Sequence, residues 1–323
     1  MGNCMSPVNH SRPNSPVTAP ASAALNEPTS SSATNQTGPT GLGDPNQRRT
    51  DRKGKDRASS TEDRPVGRLH SRKRSSMSGS SVLYNLRRYA TTPNPTANLP
   101  PSLLLLSSPN AIAIFDAYPK AKYHFLVMPR HPFPPQSDPE SRSSITSLES
   151  LEDLKSVLMK CSREVREEVL TAMANMAREV EEMIRDEMLK TEGFEWKIDV
   201  GFHAIPSMKH IHLHVISDDR IGSGLKKKHH HNSFRPDLGF FVPIMEVQRW
   251  IEDDSNMQER VDALSGAERL LHTPLTCHKC DEFMANMPKL KTHLEKHFKE
   301  EKEAALKHIA KHGRQRSSDE EIF

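Results

Sequence analysis

Residues 209–217 read KHIHLHVIS, and this alternation constrains the fold more than any other stretch of the chain. Side chains on a β-strand point to opposite faces in turn, so His210, His212 and His214 share one face and Ile211, Leu213 and Val215 the other. The β-branched content favours a strand over a helix. The aliphatic face is expected to pack on a core, which leaves a row of imidazoles facing a pocket or solvent. On these residues alone three readings stand side by side: a polar face without chemistry, a three-histidine metal site, and nucleophilic catalysis. With 17 histidines in 323 residues, spacing by itself does not choose among them.

The rest of the chain limits where such a strand can sit. Hydrophobic residues make up 34% of the sequence, low for 323 residues of continuous fold. Residues 1–78 are rich in Ser, Pro, Thr, Asn and Arg and nearly free of large apolar side chains, so they are expected to be disordered. Within them, residues 48–74 carry 11 Lys/Arg against four Asp/Glu, densest at Arg72-Lys73-Arg74. That run reads as a nuclear import signal or nucleic-acid tether, or as a solvated linker. The opening MGNCMS fits N-myristoylation at Gly2, with Ser6 at the matching offset and Cys4 open to a second acyl chain. Membrane association is the expected alternative to a nuclear location if those residues are acylated. No run of 18 apolar residues occurs, and PSLLLLSSP is too short to span a bilayer. Four cysteines, two of them in a C-x-x-C pair, suit a reducing compartment better than a disulfide framework.

Order is expected from 79 to 250 as an α+β domain. A short helix is predicted at 82–89, two strand-like runs within 111–130, and a Pro/Ser loop at 132–145. One or two helices are predicted from Leu151 to Leu189, with apolar residues from Leu154 to Ile184 at helical spacing. Strands at EWKIDVGFHAIPS and HIHLHVIS, a basic loop GSGLKKKHHHNSF and a Phe-rich strand GFFVPI complete it. A second unit spans 270–300, followed by a charged helix or tail over 301–323.

That second unit carries Cys277, Cys280, His293 and His297 in the spacing C-x2-C-x12-H-x3-H. Two thiolates and two imidazoles satisfy tetrahedral Zn2+, and a unit this small has no adequate core without the metal. Leu290 supplies an apolar residue to the finger helix, while Phe283 lies one position earlier than the commonest pattern. Lys289, Lys291, Lys296 and Lys299 make the helix basic, suited to phosphate contact more than base reading.

Two segments then bear on the histidines. Asp116, Pro119, Ala121, His124, Leu126, Val127 and Pro129 fall in the pattern D-x-x-P-x-A-x-x-H-x-L-V-x-P, and GFHAIPSM precedes the alternating strand. Together with His210-Ile-His212-Leu-His214-Val-Ile, they resemble the histidine-triad family of nucleotide hydrolases and transferases. With LKKKHHHNSF and the finger, the chain is most similar to the branch of that family that removes adenylate from DNA 5′ ends left by abortive ligation.

The resemblance implies a histidine-triad fold, an antiparallel sheet flanked by helices, followed by a small ββα-like zinc finger. It implies that His212 is the nucleophile and is transiently adenylylated, with His210 and His214 holding phosphate and orienting it. His203 is implied as the leaving-group acid, and Ser207, Asp116 and Lys120 as nucleotide contacts. Lys226, Lys227 and Lys228 correspond to a loop on the DNA backbone, although a solvated charge run reads the same, and His229 stands where animal forms have a further lysine. Leu83, Tyr84 and Tyr89 correspond to a wedge that stacks on the terminal base pair, or they pack a core. The histidines His229–His231 are expected to be loop. The expected partners are nicked or broken DNA bearing a 5′-adenylate, RNA–DNA junctions, and repair proteins through the N-terminal region. The chain is expected to be a monomer with structural Zn2+ and no cofactor for the chemistry. The rivals are a general adenylyl hydrolase acting on small substrates and a non-catalytic nucleic-acid-binding module.

Overall fold

The computed structural model describes residues 82–134 and 144–320. The expected disorder of 1–78, the acylation pattern at Gly2, Cys4 and Ser6, and the basic run at 72–74 lie outside them. The elements run α1 (Asn85–Ala90), α2 (Pro95–Asn98), β1 (Leu104–Ser107), β2 (Ala111–Phe115), β3 (His124–Pro129), α3 (Leu154–Lys160), α4 (Arg163–Glu192), β4 (Ile198–His203) and β5 (Leu213–Ser217). After β5 come α5 (Lys228–Asn232), β6 (Phe241–Pro243), α6 (Ile244–Glu252), α7 (Met257–Ser265) and α8 (Met287–Glu320). Six antiparallel strands form one sheet in the order β1-β2-β3-β5-β4-β6, so the fold is α+β.

Alternation divides the strands between two faces. Ala113, Phe125, Val127, Leu213 and Val215 point into the main core. There they meet Val169, Met173, Met176, Val180 and Ile184 of α4, the helical stripe visible in the sequence. Ser162 caps α4 by accepting from the N–H of Val165, and Gly193 ends it at φ +77° with its N–H bonded to the Leu189 carbonyl. On the other face Ile112, Ile114, Leu126 and Met128 pack on Leu86 and Ala90 of α1. His124 and His214 share that second face, with Leu126 opposite His214 in register. Truncating one of the fully buried stripe residues, such as Met173, to alanine is expected to cost about 2–5 kcal/mol.

Three sequence expectations change, and one unassigned run gains a place in the sheet. The alternating strand begins only at Leu213: the N–H groups of Lys209, His210 and Ile211 bond to the carbonyls of Leu83, Glu152 and Leu151, outside any strand, and His210 sits at φ +92°. The apolar run Leu104–Leu106, dismissed as too short for a membrane, is the edge strand β1. His229–His231, expected as loop, form the short helix α5 with Lys228 and Asn232, closed by the bond from the Ser233 N–H to the His229 carbonyl. The charged C-terminal stretch continues the finger helix without a break as α8, because Phe298 and Ala305 find apolar partners in the main core. No helix among the described residues is long and apolar enough to cross a membrane.

Candidate active site and metal centre

Two turns bring the polar residues together. The β2–β3 connection carries Asp116 and Lys120. Asp116 Oδ1 accepts from the Tyr118 N–H at 2.6 Å, which fixes its carboxylate, and Lys120 Nζ lies 3.9 Å from that oxygen while donating to the Tyr118 carbonyl. Gly224 packs against this turn so closely that a Cβ there would lie 2.2 Å from the Tyr118 carbonyl oxygen. That contact explains one glycine of the GSG sequence.

The second turn leads into β5. His210 Nε2 donates to the Pro129 carbonyl at 2.7 Å, and His212 Nδ1 donates to the His210 carbonyl at 2.9 Å. A carbonyl only accepts, so His212 carries its proton on Nδ1 and leaves Nε2 as the basic nitrogen. Burial pulls His212 below the ordinary histidine pKa despite the His210 bond and the Asp116 charge, which oppose it. It is therefore neutral and nucleophilic at neutral pH.

His203, at the end of β4, and His214, on β5, lie with ring centroids 4.2 Å apart and planes tilted by 37°, and Phe234 packs on both. Burial, then the neighbouring His212, Lys120 and Arg220, push His203 down to about 3. His214 is likewise held well below its usual value, first by burial and then by the histidines around it. His203 Nε2 and His214 Nε2 are buried and have no hydrogen-bond partner among the described residues. Buried polar atoms without partners in a pocket wall are suited to a polar ligand.

The pocket these groups line has a volume of about 560 Å3. Asp116, Lys120, His203, Ser207, His212 and His214 all face it, so the structure brings together every residue expected from the sequence to bind nucleotide or do chemistry, except His210. His210 is buried behind His212 and acts through its carbonyl. The expected three-histidine face is thus a backbone kink followed by two pocket-facing rings. Phe234, Phe240 and Leu271 complete the wall. They lie too far along the chain for spacing to assign them. His124, matched at sequence level only as part of a motif, hydrogen-bonds His214 at 3.0 Å.

The four finger residues converge as expected. Cys277, Cys280, His293 and His297 have donor atoms all within 4.8 Å of one another. Cys280 Sγ lies 3.2 Å from His293 Nε2 and 3.3 Å from His297 Nε2. Two sulfurs and two imidazole nitrogens at this separation fit tetrahedral Zn2+. Leu275, Met284, Leu290 and Leu294 make the finger core. Met284 fills the place Phe283 leaves, and Phe283 is 68% exposed.

Comparison with known proteins agrees with both regions. Residues 96–230 match the family described as scavenger mRNA decapping enzyme C-term binding, and residues 237–300 the C2HE / C2H2 / C2HC zinc-binding finger. A crystal structure of the aprataxin ortholog Hnt3 from Schizosaccharomyces pombe covers 67% of this chain and 92% of its own, at 23% identity and TM-score 0.46. The aprataxin of Danio rerio is 34% identical over 198 residues, 61% of this chain, and the chain spans 50% of that relative's length. The aprataxin-like protein of Saccharomyces cerevisiae is 30% identical over 173 residues, 49% of this chain and 71% of its own. This chain belongs to the aprataxin family.

The residues expected to meet DNA in an aprataxin separate into distinct environments. Lys226 lines the pocket, Lys227 is exposed, and Lys228 Nζ is bonded to the His272 carbonyl at 2.8 Å. Tyr84 is 43% exposed with the Arg87 guanidinium 5.1 Å from its ring. Tyr89 packs on the α1 cluster, and the Leu83 carbonyl accepts from the Lys209 N–H. Lys228 and Tyr89 thus have structural partners, whereas Lys226 and Tyr84 keep accessible surface.

Proposed function

We propose that this chain is a DNA-repair hydrolase that removes AMP from 5′-adenylated DNA ends. The observation that carries the reading is the His212 tautomer: Nδ1 is tied to the His210 carbonyl at 2.9 Å, and Nε2 is left basic in a pocket lined by Asp116, Lys120, His203 and His214. Membership of the aprataxin family supports the substrate class.

In the first step His212 Nε2 attacks the adenylate phosphorus. An N–P bond forms as the phosphoanhydride P–O bond breaks, and the electron pair leaves on the DNA 5′-phosphate, which takes a proton from His203. Before substrate binds, burial keeps His203 neutral. The negative charge of bound phosphates favours its protonated form, so substrate itself arms the acid. His214 Nε2 and Lys120 donate to equatorial phosphate oxygens where charge accumulates. Water then attacks phosphorus, the N–P bond breaks, AMP leaves, and the proton lost by water returns to His203. Asp116 accepts from the ribose hydroxyls, and Ser207 contacts phosphate.

Lys226 and Lys227 meet the DNA backbone, and Tyr84 stacks on the exposed base pair. Cys277, Cys280, His293 and His297 hold a structural Zn2+ whose binding supplies folding free energy to the finger. The site of action is the nucleus, on nicked DNA and at RNA–DNA junctions, with repair proteins recruited through residues 1–78.

Incubation with 5′-adenylated nicked DNA tests the reading. The protein is expected to release AMP and to carry a transient adenylyl group, and His212→Ala is expected to do neither. A protein that hydrolyses a small adenylate faster than adenylated DNA, with no dependence on DNA length, is instead a general nucleotide hydrolase.

A further inference from the structure

The finger region and the nucleotide pocket share a wall. Leu271, at the start of the 270–300 unit that carries the metal ligands, lines the same pocket as His203, His212 and His214. Bonds from α5 fasten that wall. Asn232 Nδ2 donates to the carbonyls of Leu271 and Thr273 at 3.1 and 2.9 Å, and His231 Nε2 donates to the Thr276 carbonyl at 3.0 Å. The same helix carries His229 and His230 into the pocket lining.

A second tie starts inside the metal-binding turn. His278 and Lys279 lie between Cys277 and Cys280, and both grip Asp218, one residue past β5. His278 Nε2 donates to the Asp218 carbonyl at 2.9 Å, and Lys279 Nζ donates to its carboxylate at 2.8 Å. Two residues on, buried Arg220 pairs with Asp199 and donates to the Phe234 carbonyl at 2.7 Å. The Phe234 ring packs on His203 and His214. Metal ligation by Cys277 and Cys280 holds the turn between them, so release of the ligands frees His278 and Lys279 and leaves the buried Asp218 carboxylate with Arg220, 3.9 Å away, as its remaining cation.

We propose that nucleotide binding and metal retention are coupled: AMP in the pocket tightens the finger's hold on Zn2+, and loss of Zn2+ loosens the pocket. The inference rests on the adenylate reading of the site. Linkage requires the two effects to be equal in factor.

Zinc affinity of the full-length, zinc-loaded protein is measured by equilibrium competition with a chromophoric chelator, with and without saturating AMP. AMP binding is measured separately by calorimetry. AMP is expected to raise zinc affinity about 5-fold or more, with the same factor lost from AMP affinity on zinc removal. Lys279→Met and Asp218→Asn leave all four ligands in place. Both are expected to bind one equivalent of zinc while losing most of the AMP effect. Lys307→Ala, an exposed residue further along α8, is expected to retain it. If AMP binds yet zinc affinity is unchanged, the coupling is overturned; if zinc affinity rises but both substitutions keep the full effect, its route through Asp218 is overturned. If AMP does not bind, the adenylate reading falls, and the coupling falls with it.

Discussion

His124 donates from Nε2 to Nδ1 of His214 across 3.0 Å, and a third group sets the direction of that bond. The Lys120 N–H donates to His124 Nδ1 at 3.3 Å, so His124 carries its proton on Nε2 and His214 must carry its own on Nε2. A backbone amide thus decides that His214 presents an N–H to the pocket. His124→Phe keeps an aromatic ring against Phe234 but breaks the relay. AMP affinity is expected to fall about 10-fold, the size of one lost hydrogen bond to a charged group, as read by calorimetric titration.

Tyr84 and Tyr89 separate stacking from packing. Tyr84→Ala is expected to weaken binding to nicked DNA by about 1–3 kcal/mol while leaving AMP affinity and the urea midpoint unchanged. Tyr89→Ala is expected to lower the midpoint, because that ring packs on the Leu86 and Met128 cluster. Fluorescence anisotropy on nicked DNA and urea titration check the pair.

Acid should destabilise the fold through its buried histidines. His203, His210 and His231 are pushed down by burial to about 3, 4 and 3, whereas an unfolded histidine titrates near ~6.5. Below ~6.5 the unfolded chain binds protons that the folded chain refuses, so their stabilisation is complete above that pH and is lost as pH falls toward those folded values. Urea midpoints are expected to be level from pH 8 to 7 and to drop steadily between about pH 6.5 and 5. A flat profile across that range contradicts the burial of these rings.

Gly224→Ala tests the turn that holds Asp116. Its Cβ meets backbone atoms of Tyr118 and Pro119 rather than a yielding side chain. Overpacking of this kind costs about 1–3 kcal/mol. Part of the loss is expected as weaker AMP binding, since the displaced turn carries Asp116 and Lys120. Urea titration and calorimetry on the same sample read both shares.

Local pattern carried much of this fold. The stripe from Leu154 to Ile184, the strand-like runs of β2 and β3 and the finger spacing each depend on residues close in sequence, and each appears where the pattern predicts it. What the sequence hid is long-range. Leu104–Leu106 reads as an isolated apolar run because its partner strand, not its own pattern, makes it β1. The grip of Lys279 on Asp218 spans 61 positions and joins regions that composition separates. His210 looked like the first residue of a strand, yet bonds to Glu152 and Pro129 draw it out of one.

The backbone of His210, at φ +92°, limits what can ever replace it. Glycine would follow the kink and forfeit the imidazole anchored on Pro129; a branched residue would resist the kink itself. Natural drift or laboratory redesign of this pocket therefore has almost no freedom at a position outside its lining, and any swap of reaction specificity must leave that bend standing.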